Sequence, residues 1–122
     1  KVLGWQSNID KVLSAADIVV LTSDNEGTPL SLIQAGMAKL PVVSTNVGSV
    51  PEVVLDNVTG LITALNVQEI ADALEKLVSD KALRVQLGIA AQEFTLANFG
   101  VQRLVRDHEL LYKKLLSSPT KF

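Results

Sequence analysis

Apolar positions along this chain follow two different periods, and the change between them divides it near residue 65. Before that point they come in short continuous runs broken by Gly, Pro, Asn and Asp. KVLG (1–4), IVVLT (18–22), PVVS (41–44) and GLIT (60–63) are the four runs. Runs of this length bounded by turn residues read as strands buried on both faces, the kind found in parallel sheets. Helices are expected between them. Residues 8–16 put Ile9, Val12, Leu13 and Ala16 on one face, and residues 29–39 form a second helix. After Asn66 the period becomes helical and stays so. Val67, Ile70, Ala71, Leu74, Leu77 and Val78 make one apolar face; Leu83, Leu87, Ala90, Ala91 and Phe94 make the next. Val101, Leu104, Val105, His108, Leu111 and Leu115 make a third.

Start and stop signals support these divisions. Thr28 is placed to cap the second helix, with Pro29 at its first helical position. Ser49 and Glu52 have capping-box spacing, and so do Asn66 and Glu69. Glu52 could instead face a substrate; its spacing favours the cap. Asp56 and Asn57 read as a turn, Asp80 as a cap, and Asn98-Phe99-Gly100 as a helix break. Gly36 lies inside a helix, where glycine costs about 1 kcal/mol against alanine. Close helix–strand packing explains it better than room for a ligand. His108 falls on an apolar stripe and is expected to be a hydrogen-bonded core residue, not a catalyst. The tail SSPTKF is expected to fray.

Strands separated by helices imply an α/β fold with a Rossmann-like, mostly parallel sheet and flanking helices. In such open sheets ligands bind outside the carboxyl ends of the strands. That directs attention to SDNEGTPLSLIQ, residues 23–34, where a strand ends, a loop carries Glu26, and a helix begins. The amides and dipole of a helix start favour an anion such as phosphate. Glu26 would repel a phosphate, so it makes better sense as an acceptor for ligand hydroxyls such as those of a sugar.

Composition narrows the alternatives. The chain has 122 residues, enough for one small core, and 48% are hydrophobic, too many for disorder. Its net charge of −2 comes from charges spread along the chain, not from a basic face, which argues against nucleic acid. There is no cysteine and one histidine, so neither a thiolate nor a histidine-rich metal site is expected. No apolar run approaches the roughly 18 residues of a membrane span. With no signal-peptide pattern at its start, the chain is expected to be soluble and cytoplasmic. A chain that opens inside a strand also reads as cut from something longer.

A family resemblance rests on these same residues. Glu26 and Gln34 have the spacing of the two acids in the E-x7-E motif of retaining glycosyltransferases of the GT-B fold, family 4. GWQSNIDKVLSAADIVVLTS resembles that family's strand–helix–strand lead-in, and NEGTPLSLIQAGMAKLPVVSTNVGSVPEVV its donor-site segment. NVTGLI resembles its last strand. E-x7-E alone is a weak signal; followed in order by LPVVST, VGSVPE and TGLI it is a strong one. The resemblance covers nearly the whole chain. It implies that residues 1–122 are the later part of a C-terminal, nucleotide-sugar-binding domain, ending in a helical segment over 66–117. The first two strands, the basic residues that grip the diphosphate and the acceptor domain would lie outside it.

The resemblance also implies roles. Glu26 would be the catalytic residue near the donor sugar. Gly27, Thr28, Pro29, Leu30 and Ser31 would hold the diphosphate, and Gln34 the ribose. Gln34 departs from the pattern, because it replaces an acid with an amide that accepts at one atom and donates at the other. Weaker nucleotide binding is expected. The implied activity is transfer of a sugar from a UDP- or GDP-sugar to a glycan, lipid or small-molecule acceptor, with retention and with no cofactor or obligatory metal. The alternative is a non-catalytic binding or interaction module on the same scaffold. A sugar-nucleotide epimerase fits the Glu26 segment less well. Further expectations are work at the inner face of a membrane, peripheral attachment through segments outside this chain, and a homodimer along the edge of strand 18–22.

Overall fold

The computed structural model describes residues 1–117. A parallel sheet of three strands carries the fold, in the order β1 (Val19–Leu21), β2 (Val42–Thr45), β3 (Gly60–Thr63). Val19 pairs with Val42, and Val42 with Gly60. The expected fourth strand, KVLG, is absent. A strand exists through its partners' hydrogen bonds, and no described residue pairs with residues 1–4. Gly4 also leaves the extended region, at φ 65°.

Helices cover both faces. α2 (Leu30–Met37) and the single turn α3 (Val50–Val53) pack with Val42 on one side. α4 (Val67–Ser79) and the start of α5 (Lys81–Phe99) pack with Val43 and Leu61 on the other. β2 is buried at all four positions because it has a strand on each side and helices on both faces. β1 and β3 are the two edges; β3 is buried at three of its four positions, whereas β1 is only half-buried, with Val20 41% exposed.

The helix starts follow the sequence in part. α1 (Ile9–Leu13) begins at Asn8, whose side chain accepts from the Lys11 amide. The Asn66 side chain accepts from the Gln68 and Glu69 amides, but Glu69 reaches past Asn66 to the Ala64 amide. Asp80 caps α5 through the Leu83 amide. Ser49 takes the N-cap position without capping. Its backbone, at φ −89° and ψ 17°, is not extended as a capping residue requires. The Glu52 amide bonds the Ser49 carbonyl instead, so the expected box does not form. Thr28 does not cap α2 either; Pro29 sits at the N-cap, one position earlier than expected, and no side chain caps that start.

Three expectations about packing change. Gly36 is a contact between helices, not between helix and strand: a Cβ there would lie 2.5 Å from Thr95 Cγ2 and 3.2 Å from the Ala91 carbonyl, both on α5. On α4 the inward residues are Ile70, Ala73, Leu74 and Leu77, while Val67, Ala71 and Val78 face outward. α6 (Val101–Ser117) buries no residue. Its stripe of Val101, Leu104, Val105, Leu111 and Leu115 is exposed, and so is His108, whose Nδ1 lies 2.8 Å from the Leu104 carbonyl. His108 is therefore not a core residue. Of the tail SSPTKF, Ser117 ends α6, and 118–122 lie outside the described residues.

Candidate functional site

Parallel strands aim their carboxyl ends the same way, so the β1–α2 and β2–α3 loops emerge at one edge of the sheet. Glu26 lies on the first of these and is half-buried. Ser23 Oγ donates to Glu26 Oε1 at 2.6 Å. Thr45, the last residue of β2, donates from Oγ1 to the Ser23 carbonyl at 2.5 Å. On the second loop Gly48 sits at φ 50°, where a Cβ would fall 1.7 Å from the Glu26 carbonyl oxygen. The two loops thus touch at Glu26. Strand order alone implies that the loop 45–48 falls at the Glu26 end of the sheet, but the bonds and contacts by which Ser23, Thr45 and Gly48 hold Glu26 were not foreseen. Thr45 is 22 positions from Ser23, and no local pattern joins them.

The other expected residues spread from this point. Gly27 is exposed, with open space where a Cβ would be. Pro29 is buried, and its carbonyl accepts from the Leu32 and Ile33 amides. Leu30 is 63% exposed and Ser31 is exposed. Their amides open the helix with no side-chain cap among the described residues, which leaves them for an outside acceptor. Thr28 faces another direction, lining a cavity of about 200 Å³ with Glu52, Val53, Asn98 and Arg103.

Gln34 lies farther along α2, in a cavity whose lining does not include Glu26. It is half-buried and lines this cavity, of about 310 Å³, with Asp10, Leu13, Ser14 and Met37. From Leu30 to Gln34 the helix rises about 6 Å. A ligand reaching Glu26, the helix start and Gln34 together would therefore be elongated. A larger cavity, of about 490 Å³, opens at the outer side of β3 near Asn46, Leu55 and Thr63 and includes none of the expected residues. Among the described residues no group of three or more His, Asp or Glu could hold a metal ion, and no helix is long and apolar enough to cross a membrane.

Comparison with known proteins gives this edge of the sheet a context. Residues 1–94 match the family described as glycosyl transferases group 1. Over 115 residues the chain is 30% identical to N-acetyl-alpha-D-glucosaminyl L-malate synthase of Bacillus anthracis, covering 93% of this chain and 30% of that enzyme. The solved C-terminal domain of the group 1 glycosyl transferase LpcC from Francisella tularensis superposes with a TM-score of 0.73 at 28% identity, over 83% of this chain and 52% of that one. HepE from Anabaena, solved in complex with UDP, superposes with a TM-score of 0.83 at 25% identity, over 95% of this chain and 32% of that one. The chain thus spans less than a third of the length of the Bacillus relative. Over the part it covers, the sheet and its helices are those of the GT-B glycosyltransferases. The chain belongs to the glycosyl transferases group 1 family.

Proposed function

We propose that this chain is the donor-binding part of a nucleotide-sugar-dependent glycosyltransferase. The observation that carries the reading is the placing of Glu26 at the carboxyl ends of parallel strands, beside the uncapped start of α2. A sugar has hydroxyls for the carboxylate, a diphosphate has charge for the helix amides, and a ribose has a diol for Gln34. A nucleotide sugar carries these three in that order. HepE, a similar protein, was solved with UDP bound. In transfer, negative charge builds on the leaving diphosphate, and the amides of Leu30 and Ser31 would stabilise it without having to reorganise. Retention of configuration, a reaction without metal or cofactor, a glycan, lipid or small-molecule acceptor, and work on the cytoplasmic side of a membrane complete the reading. They rest on the family likeness.

The test is made on the whole protein that contains this chain. Calorimetric titration with UDP-, GDP- and ADP-sugars should find one donor that binds, and that donor should support transfer. Glu26→Ala should abolish transfer while leaving the circular dichroism spectrum and melting temperature unchanged. Near-normal turnover by that variant would remove Glu26 from the chemistry.

A second reading, a non-catalytic module on the same scaffold, draws on Gln34. That residue replaces an acid and lines a cavity that does not include Glu26. Donor binding without any transfer in the whole protein would favour it.

A further inference from the structure

We propose that Thr45, Ser23 and Gly48 are positioning residues that set the Glu26 carboxylate from outside its own loop. The proposal rests on the reading of Glu26 as the group that meets the donor sugar. A loop glutamate has many rotamers, and ordering it costs side-chain entropy. Something must hold it if it is to meet a sugar in one geometry. Its own loop supplies one bond, from Ser23 Oγ to Oε1, at a length typical of a hydroxyl on a carboxylate. Oε2 has no hydrogen bond among the described residues, so it is the oxygen left for a ligand.

Ser23 is itself on an irregular segment and cannot hold Glu26 unless it is held. Thr45 does this through the Ser23 carbonyl. Thr45 is fully buried, closes the central strand, and pairs with Thr63 on β3. The order of the sheet therefore passes through two side chains to the carboxylate. Gly48 acts from the other loop. Its left-handed φ and the 1.7 Å approach mean that only a hydrogen fits against the Glu26 carbonyl. Side chain and backbone of Glu26 are thus both fixed by β2 and by the loop that follows it.

A valine at position 45 would keep the shape and lose the donor, while serine would keep the donor. The experiment uses the whole protein with Ser23→Ala, Thr45→Val, Thr45→Ser and Gly48→Ala, the first two also combined with Glu26→Gln. One readout is the affinity for UDP-glucose divided by that for UDP, with GDP or ADP pairs if the wild type prefers them. Ser23→Ala and Thr45→Val should lower this ratio about tenfold while leaving the nucleoside diphosphate affinity unchanged. Thr45→Ser should restore it, and in the Glu26→Gln background neither change should lower it further. An unchanged ratio, or an equal fall in the Glu26→Gln background, would overturn the proposal.

The second readout needs no ligand. Nitrogen-15 relaxation at the Glu26 amide should show lower order in Thr45→Val and Gly48→Ala and normal order in Thr45→Ser. Unchanged order in all variants would overturn the positioning role. Lowered order in a protein that binds no sugar nucleotide would uphold the positioning and remove the donor reading.

Discussion

Gln34 offers a hydroxyl pair one acceptor and one donor where an acid would offer two charged acceptors. Hydrogen bonds to charged groups contribute about 1.5–3 kcal/mol, against about 1 for neutral ones. Gln34→Glu should therefore tighten nucleoside diphosphate binding by roughly 1 kcal/mol, about fivefold, after desolvation. Titration of the whole protein checks this, and unchanged or weaker binding would mean that Gln34 does not meet the ribose. Lys39 departs from its local geometry in a different way. It ends α2 at φ 61°, its amide bonding Gly36 and the next amide, of Leu40, bonding Ala35. This is the left-handed helix ending that glycine usually fills. A side chain there costs about 1–2 kcal/mol, partly offset by the greater freedom glycine has when unfolded. Lys39→Gly should raise stability by about 0.5–1 kcal/mol, read as a higher urea midpoint with an unchanged slope.

Between elements, the contact of α2 with α5 is the one most sensitive to a single atom. Thr95 is buried beneath Gly36, and its hydroxyl is tied to the Ala91 carbonyl. Gly36→Ala gains about 1 kcal/mol in helix propensity. It also forces a methyl against a residue with no room to retreat, and such overpacking costs about 1–3 kcal/mol. Packing should win, giving a net loss of about 1 kcal/mol. Thr95→Ala removes both Thr95 atoms that the new methyl would meet. The double variant should therefore be more stable than the sum of the two single changes predicts. Additive losses in denaturant titrations would show that the two helices adjust independently.

At the scale of the molecule, the outer edge of β1 and the stripe along α6 lack partners among the described residues. An open strand edge invites pairing with another chain. We expect this chain, prepared by itself, to self-associate in the micromolar range by sedimentation, and Val20→Lys to weaken the association. A monomer at every concentration would show that the β1 edge is protected. Sugar-nucleotide binding by the isolated chain should be weak, because a helix start contributes only about 0.3–1 kcal/mol per nearby charge when exposed. Calorimetric detection of micromolar binding would mean that the diphosphate needs no residues beyond those described here.

Much of this was legible in the residues themselves, because it depends on short-range physics. β3 begins at Gly60 and ends at Thr63 as read, and Asn66 and Asp80 cap their helices as read, because caps and short apolar runs act within a few residues; the first helix is shorter than read, Ile9–Leu13, with Asn8 as its cap. The family was legible too, since Glu26 with Gln34 eight positions on and the segments after them form a linear pattern, and the family model spans residues 1–94. What failed needed a distant partner. KVLG has strand composition but no strand to pair with, and the α6 stripe has helical period but nothing among the described residues to pack on. Ser49 has the right neighbour for a cap, but the turn into α3 gives it the wrong backbone angles. The hold on Glu26 was likewise invisible. Thr45 and Gly48 become its neighbours only when β1 and β2 lie side by side, and pairing across a sheet is decided by the folded chain, not by spacing along it.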